Sequence, residues 1–326
     1  MEYYFAWWNL ENLFDLQDAP QRPAWLQSRL NSELAGWNAD VLDTKLEQIT
    51  RIIGRMNDGR GPDLLGVCEV ESRAVLEKLL ARIDIPRRNY AIVHSDTADK
   101  RGIDVAFIYD LKLFRKPYKS HTFNHVVLKR NATRDILQVN FKTRGSAPLD
   151  FVVIGNHWPS RLGGDLASEP YRMMAAETLS YWLERIPVKF EKEVPVVVMG
   201  DFNDEPFNRS ITDYALALKD SSKVRSTRAR RPLLFNLMWE IQEDGIGSHY
   251  YDNWSLLDQI MVNRAMLNDT GELTLVPRSC GIYRDADMLK NDKPRRFGRP
   301  SSSFDPEGYS DHLPIYCRIR KLEPAS

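Results

Sequence analysis

The chain reads Val194-Pro195-Val196-Val197-Val198-Met199-Gly200-Asp201-Phe202-Asn203-Asp204 at the point that decides its fold. The apolar run at the start of this stretch predicts a strand that is buried on both faces. Asp201 and Asn203 follow the run and lie two residues apart, so their side chains share one side of an extended backbone. The stretch therefore predicts a carboxylate and an amide together at the end of a buried strand.

A second segment, Tyr309-Ser310-Asp311-His312, precedes another apolar run that begins at Leu313. It places a carboxylate and an imidazole beside a predicted strand. Such side chains at two strand ends are suited to hold a hard divalent cation and to activate a water molecule against a phosphate. Taken alone, the Gly-Asp-Phe-Asn segment has an alternative, a tight turn in which Asp and Asn bond to nearby backbone.

Four further apolar runs carry polar side chains of the same kinds. The first ends in Asn and Glu, the second in Glu and the third in His, whereas the fourth contains one Asp. In chain order they are Trp8-Asn9-Leu10-Glu11-Asn12, Pro62-Asp63-Leu64-Leu65-Gly66-Val67-Cys68-Glu69, Gly155-Asn156-His157-Trp158 and Leu256-Leu257-Asp258-Gln259-Ile260.

This ordered set of motifs resembles that of the endonuclease/exonuclease/phosphatase superfamily, the DNase I-like hydrolases. The motifs run from residue 9 to residue 312, so the resemblance covers nearly the whole chain. It implies an α+β fold, a four-layer α-β-β-α sandwich of two packed mixed sheets with the site at one end. Periodicity alone does not separate this arrangement from other α+β folds.

Regular elements are indicated along the whole length. Apolar residues recur at helical spacing in residues 42–56, after Glu71, after Ser168 and, in a shorter segment, after Asn208. Strands are predicted near residues 2–9, 63–68, 90–94, 103–109, 123–128, 135–141, 150–156, 194–200, 256–263, 272–276 and 313–319.

Motifs at both ends of the chain must meet at one site, which favours a single domain over residues 1–326. A helical insert is expected near residues 15–40, and Lys- and Arg-rich loops near residues 219–232 and 284–300. Because both loops lie between motifs, we expect them to border the site. The alternative for each is a solvated surface loop.

Composition excludes some classes of function. The formal net charge is +0, so no global field draws the chain to nucleic acid. The cysteines Cys68, Cys280 and Cys317 are few and odd in number, which favours reduced thiols over a disulfide or a metal site. No apolar stretch is long enough to span a membrane. Since Met1 leads almost directly into the first strand, without room for a signal peptide, we expect a cytoplasmic location.

The resemblance implies a Mg²⁺ or Mn²⁺ site with oxygen ligands. Its implied ligands are Glu69, Asp311 and Asn9. Glu11 is implied to act behind these ligands or at a second metal.

Roles in catalysis follow from the same resemblance. Asp201 is implied to orient or deprotonate the attacking water, and Asn203 to donate to that water or to a phosphate oxygen. His312 is implied to contact the scissile phosphate as acid or base, with Asp258 fixing its tautomer. Whether His312 or Asp201 takes the proton stays open. His157 is implied to protonate the leaving oxygen or to brace the phosphate.

Arg101 and Asp104 match a phosphate-contacting position more loosely, and a plain turn explains them equally well. The remaining histidines match no motif and are interpreted as ordinary surface or core residues. They are His94, His121, His125 and His249.

The superfamily contains both nucleases and phosphatases, and a nuclease, either an endonuclease or an exonuclease with nucleic acid as substrate, is the favoured interpretation. The basic loops support this choice, since phosphate contacts supply much of nucleic-acid affinity. So do four aromatic side chains that could stack on bases, Trp25, Trp37, Trp158 and Tyr309. The alternative is a phosphatase or phosphodiesterase for a small-molecule or lipid phosphate ester. A non-enzymatic interaction module is disfavoured because none of the motif positions is replaced. No partner protein can be inferred.

Overall fold

A computed structural model of the protein describes residues 1–128, 134–161, 164–228, 231–242 and 245–322. The strands in chain order are β1 (Glu2–Leu13), β2 (Leu64–Val70), β3 (Tyr90–His94), β4 (Asp104–Asp110), β5 (Thr122–His125), β6 (Ile136–Lys142), β7 (Asp150–His157), β8 (Val196–Asp201), β9 (Ala217–Leu218), β10 (Leu234–Asn236), β11 (His249–Tyr250), β12 (Trp254–Ser255), β13 (Asp258–Asn263), β14 (Leu273–Leu275), β15 (Gly281–Ile282), β16 (Leu289–Lys290), β17 (Lys293–Pro294) and β18 (Ile315–Lys321). The α-helices are α1 (Ala24–Leu30), α2 (Ala39–Gly59), α3 (Arg73–Leu80), α4 (Asp165–Leu183), α5 (Arg185–Phe190), α6 (Ser221–Arg225) and α7 (Trp239–Gln242).

Most strands form two mixed sheets. One has the order β14-β18-β1-β2-β4-β3, with β15 also paired to β18, and the other has the order β5-β6-β7-β8-β13-β10-β9. Each sheet has a parallel pair near its centre, β1 with β2 and β7 with β8. The short strands β11 and β12 form a separate hairpin, as do β16 and β17.

The two sheets pack face to face. Successive side chains of a strand point to opposite faces of its sheet, so each strand contributes to the core between the sheets and to the core beneath the helices. On β1, Phe5 and Trp7 enter the core between the sheets, whereas Ala6 and Trp8 face the helices outside. Helices α2 and α3 cover the outer face of this sheet, and α4 and α5 cover that of the other. The layers are therefore α-β-β-α, as predicted.

Helix starts follow local sequence rules. Asn38 accepts a hydrogen bond from the Val41 amide at the start of α2, and Ser72 accepts one from the Val75 amide at the start of α3. The buried stripe of α2 includes the predicted Leu42, Leu46 and Ile49, but also Lys45. In the described part of the chain, no helix combines the length and the apolar character that a membrane crossing requires.

The insert at residues 15–40 contains one short helix, α1. A small core formed by Leu26, Leu30 and Trp37 packs it onto Phe297 of the second basic loop. All three cysteines are free thiols in the structure.

The first basic loop was expected to border the site, but its described residues, 219–228 and 231–232, do not. It contains α6, and its described residues Val224, Thr227 and Arg231 line a surface hollow together with Val196, where β8 begins. Asp201 lies at the other end of β8. Arg230, which belongs to this loop, lies outside the described residues.

Candidate active site

Sheet register brings the motif residues to one end of the sandwich. In the parallel pair β7 and β8, His157 is opposite Asp201, and in the antiparallel pair β8 and β13, Asp201 is opposite Asp258. The other sheet contributes Asn9 and Glu69 from the ends of its own parallel pair. Parallel strands end on the same side of a sheet, which explains why motifs far apart in sequence meet here.

His312 and Asp258 form a buried dyad. His312 Nδ1 lies 2.6 Å from Asp258 Oδ2, which also accepts a hydrogen bond from Ser248 Oγ at 2.7 Å. The other carboxylate oxygen accepts from Trp7 Nε1 at 3.0 Å. Burial lowers the pKa of His312, but the Asp258 carboxylate, helped by Asp201, outweighs it and raises that pKa well above its usual range. This shift favours the imidazolium form of His312.

Asp201 lies between the two imidazoles. One of its oxygens accepts from Asn9 Nδ2 at 3.0 Å and the other from the Asn203 amide at 2.9 Å. Oδ2 is also 3.8 Å from His157 Nε2 and 3.9 Å from His312 Nε2. Burial raises the pKa of Asp201 to about 7, against the opposing charge of His312.

Two bulges aim the acidic side chains of the first sheet. The β1–β2 register shifts between Asn9 and Leu13, where Glu11 and Asn12 have φ of 49° and 55°. Glu69 has φ of 60° beside a shift in the β2–β4 register. A left-handed backbone is costly for residues with a side chain, and such outliers cluster at functional sites.

Glu69 is held in place by the bulge opposite it. Its Oε2 accepts from the Asn12 amide at 2.9 Å, and its Oε1 lies 3.3 Å from Arg101 Nη2 and 3.6 Å from His157 Nε2. Arg101, one of the two weaker predictions, thus reaches the site. Asp104 does not, because its carboxylate accepts from Thr97 and contacts His94 Nε2 at 3.2 Å.

Glu11 anchors the second basic loop. Its carboxylate pairs with the Arg296 guanidinium and accepts from the amides of Phe297 at 2.9 Å and Gly298 at 3.2 Å. Burial, followed by the charge of Asp311, raises the pKa of Glu11 to about 7. With these donors in place, Glu11 suits a supporting role better than that of a second-metal ligand.

Lys45 is a fully buried cation behind these carboxylates. Its Nζ donates to the Tyr309 carbonyl at 2.8 Å and lies 4.7 Å from the centre of the Phe297 ring. Burial lowers the pKa of Lys45 to about 8, while the charges of Glu11, Asp311 and Glu69 oppose that shift. Sequence reasoning missed this residue, although a lysine on the apolar stripe of α2 is a recognisable signal.

The donor set fits a hard divalent cation. Glu69 and Asp311 could offer carboxylate oxygens and Asn9 an amide oxygen, which are the ligand types that Mg²⁺ and Mn²⁺ prefer. Asp311 has a half-buried side chain, 3.9 Å from Arg296 Nε. Asn9 Oδ1 also accepts from the Glu11 amide at 2.9 Å, which fixes the orientation of its side chain.

His157 contacts a second residue that sequence reasoning missed. Arg134 is buried, and its Nη2 lies 3.2 Å from His157 Nε2, so this nitrogen is the acceptor. Arg134 Nε lies 3.8 Å from Asp99 Oδ2, and among the described residues neither this nitrogen nor His157 Nδ1 has a hydrogen-bond partner. Burial, then the charges of Arg134 and Arg101, lower the pKa of His157 well below its usual range. This direction favours the neutral imidazole, which is a weaker proton donor than an imidazolium. The two roles implied for His157 stay predictions.

Asn203 has φ of 51°, a conformation that asparagine tolerates well. Its Nδ2 donates to the Trp158 carbonyl at 3.0 Å, which occupies one of the two amide hydrogens. Arg161 Nε donates to the Asn203 carbonyl at 2.8 Å and reinforces this turn. These two hydrogen bonds hold the turn, and the second amide hydrogen of Asn203 Nδ2 is left to donate to a substrate.

Three of the four aromatic side chains expected to stack on bases are core residues. Trp37, Trp158 and Tyr309 are buried, and only Trp25 is exposed among the four. Their large rings contribute more by filling the core than they could at the surface. The stacking prediction is wrong for the three buried residues.

A sequence profile of the Endonuclease/Exonuclease/phosphatase family matches residues 4–321. The chain belongs to this family. Its members are phosphoesterases, which agrees with the motifs and the assembled site. A sequence search among curated proteins finds no match.

Solved structures share the fold at low identity. An endonuclease/exonuclease/phosphatase family protein from Bacteroides thetaiotaomicron has a TM-score of 0.57 and 14% identity, with 99% of each chain covered. A mannosyl-6-phosphatase from the same organism has a TM-score of 0.54 and 14% identity, with 98% of this chain and 100% of that chain covered. D. rerio TDP2 complexed with single strand DNA product has a TM-score of 0.54 and 12% identity, with 98% and 99% covered.

Proposed function

We propose that the protein is a divalent-metal-dependent phosphodiester hydrolase in which an activated water attacks phosphorus in line. The observation that carries this proposal is the meeting of Asp201, the His312–Asp258 dyad, His157 and Glu69 at one end of the sandwich. Their contacts range from 2.6 Å within the dyad to 3.9 Å between His312 and Asp201. Polar groups this close together could act on a single phosphate group, which is what supports the proposal.

Glu69, Asp311 and Asn9 would hold the cation. When bound, it neutralises the negative charge that develops on the phosphate oxygens. Glu11 and Lys45 support these ligands, because Glu11 bonds to Asn9 through its amide and Lys45 holds the carbonyl of Tyr309.

Asp201 is proposed as the base that takes the proton from water. Its two oxygens are oriented by Asn9 and Asn203, and it lies within 4 Å of both imidazoles. His312 is a poor base, since its Nδ1 is bonded to Asp258 and it is already cationic. It is proposed to stabilise the charge on a phosphate oxygen, as preorganised donors do in hydrolases.

Arg134 and Arg101 are proposed to bind non-bridging phosphate oxygens beside His157. Both guanidinium groups contact site residues, Arg134 at His157 and Arg101 at Glu69. Arg134 Nε lies 3.8 Å from Asp99 Oδ2 but makes no hydrogen bond within the described part of the chain. This supports the role, because a buried donor without a hydrogen bond is costly until a ligand supplies one.

A nucleic acid strand is the first candidate substrate. Cleavage within the strand would make the protein an endonuclease, and cleavage from an end would make it an exonuclease. Arg296 and the second basic loop, next to Glu11 and Asp311, support it. A small-molecule phosphate ester is the second candidate. The two arginines beside His157 favour it, since a terminal phosphate carries more negative charge than a diester.

The test is a substrate panel with Mg²⁺ or Mn²⁺. Plasmid DNA, single-stranded DNA, RNA, bis-p-nitrophenyl phosphate and p-nitrophenyl phosphate are incubated with the wild type and with Asp201→Asn. We expect hydrolysis of the diesters by the wild type, and loss of activity in excess EDTA. Hydrolysis of p-nitrophenyl phosphate alone would contradict the phosphodiesterase proposal and indicate a phosphatase. Full activity in EDTA would contradict the metal-dependent mechanism.

Metal binding is checked separately by calorimetric titration of Mn²⁺. Glu69→Gln is expected to weaken binding, because a carboxylate ligand is lost. Glu47→Gln, an exposed position on α2, is the control and should bind Mn²⁺ like the wild type.

A further inference from the structure

His249 matches none of the sequence motifs, yet it lies against the catalytic dyad. Its backbone forms an isolated antiparallel bridge with His312, and the amide of Leu313 donates to the carbonyl of Ser248 at 2.7 Å. The ring centres of His249 and His312 are 4.6 Å apart, with planes inclined by 44°. His249 therefore covers one side of the His312 ring.

The preceding residue supports the other half of the dyad. Ser248 is buried, its Oγ donates to Asp258 Oδ2 at 2.7 Å, and it accepts from the Asp258 amide at 3.1 Å. Two consecutive residues thus contact the dyad, Ser248 at the carboxylate and His249 at the imidazole. Such contacts with groups behind a catalytic pair determine how well its geometry is held.

The charged groups around His249 are His312, Asp258, Arg296 and Arg161. Burial, and next the positive charge of His312, lower the pKa of His249 to about 3. The ring is therefore neutral and packs beside the cationic His312 without repulsion between two charges. Among the described residues, no hydrogen bond to a ring nitrogen of His249 is seen, and its ring packs against that of His312.

We propose that His249 is a positioning residue that fixes the tilt of the His312 ring. The proposal rests on the proposed function of His312 at the phosphate. The hydrogen bond from Nδ1 to Asp258 fixes one edge of the ring but permits rotation about that bond. The flat face of His249 restricts this rotation, which keeps His312 Nε2 directed toward Asp201 at 3.9 Å.

The test compares two substitutions that separate ring shape from ring nitrogens. His249→Ala removes the packing face, and we expect kcat to fall on the order of tenfold with KM within twofold, since small misalignments of catalytic groups are costly. His249→Phe keeps a flat ring without nitrogens and should restore most of kcat. His125→Ala is the control, because His125 also stacks on a neighbouring ring, Trp182 at 4.1 Å, on the outer helical face.

Equal losses of kcat in His249→Ala and His249→Phe would overturn the proposal in favour of a ring nitrogen that contacts substrate. Unchanged kcat in His249→Ala would also overturn it. A second readout is the NMR signal of the His312 Nδ1 proton that bonds to Asp258, which should exchange faster with water in His249→Ala than in the wild type. This signal does not depend on turnover, so it tests the positioning even if the wild type hydrolyses none of the substrates.

Discussion

The two basic loops have similar compositions but lie in different places. In residues 284–300, Arg296 pairs with buried Glu11 beside Asp311. In residues 219–232, α6 packs Val224 into the core, and Arg231 lines a hollow where β8 begins, at the end opposite Asp201. A charge run therefore does not reveal which end of a sandwich it occupies. The position of each loop is determined by the buried residue that anchors it, which is Glu11 for residues 284–300 and Val224 for residues 219–232.

The largest expected effect is within the site that the second loop borders. Asp258→Asn should lower kcat on the order of 10²-fold or more, because His312 loses its charge partner and its tautomer control. His312→Ala should lower kcat at least as much. The double variant should be scarcely worse than His312→Ala, since residues that act as one unit are not additive. Steady-state kinetics on bis-p-nitrophenyl phosphate measures all three.

Multiplicative losses in the double variant would show that Asp258 acts independently of His312. Asp258 would then be a structural residue that holds Trp7 and Ser248. Urea unfolding of each variant separates loss of catalysis from loss of folding.

Lys45→Met tests the buried charges beneath the second loop. We expect a loss on the order of 3 kcal/mol in the free energy of unfolding, because the carboxylates near Lys45 lose their buried cation. Lys321→Met is the matched control, as Lys321 is also buried and donates to one carbonyl, that of Arg144 at 3.1 Å. Urea unfolding at pH 7 gives both values. Equal losses of unfolding free energy in the two variants would mean that the carboxylates near Lys45 do not contribute to its effect on stability.

The direct comparison of the two loops uses one arginine from each. Arg296→Ala should lower kcat/KM for the chromogenic diester about tenfold, since its charge lies beside the proposed metal ligand Asp311. Arg231→Ala should leave kcat/KM unchanged. If a DNA strand is a substrate, log KM should depend less steeply on log salt in Arg296→Ala only. A similar response in both variants would remove the distinction between the loops.

The smallest expected effect concerns Asp135, a half-buried residue beside Arg134. Burial, then the charges of Asp104 and Asp99, raise the pKa of Asp135 to about 6. The folded state thus binds this proton more tightly than the unfolded state, and stability falls as the pH rises from about 4 to 6. Asp135→Asn should be more stable than the wild type at pH 7, by about 1 kcal/mol after allowance for solvent screening.

Thermal unfolding from pH 4 to pH 7 checks this sign. The advantage of Asp135→Asn should disappear near pH 4, where the wild-type carboxyl is protonated in the folded state. A constant difference across this range would indicate an effect unrelated to titration.

Long strands and helices were predictable because their periodicity is strong. The apolar runs of β1 and β8 and the apolar stripe of α2 predicted these elements, whereas the four-layer arrangement was implied by the family resemblance. The fold prediction is confirmed. Two-residue strands such as β11 carry no periodicity, so the hairpin that brings His249 to the dyad was not predicted. Tertiary pairing alone creates it.

The site was predictable where polar side chains end apolar strands, as at Asp201 and Glu69. It was not predictable where a residue reaches the site from a loop. Arg134 has ordinary sequence surroundings, and its place at the site comes from its burial against His157. The second basic loop was expected to border the site, but the pairing of its Arg296 with Glu11 was not predictable. The exposed or buried state of an aromatic side chain such as Trp158 likewise depends on packing.

The most direct test of the central claim is diester hydrolysis by three proteins assayed side by side with Mg²⁺: the wild type, Asp201→Asn at the site end and Arg231→Ala at the opposite end. We expect the wild type and Arg231→Ala to have equal kcat, and Asp201→Asn to lose at least a hundredfold while remaining folded. Wild-type activity in Asp201→Asn, or an equal loss in Arg231→Ala, would contradict the assignment of phosphoester hydrolysis to this end of the sandwich.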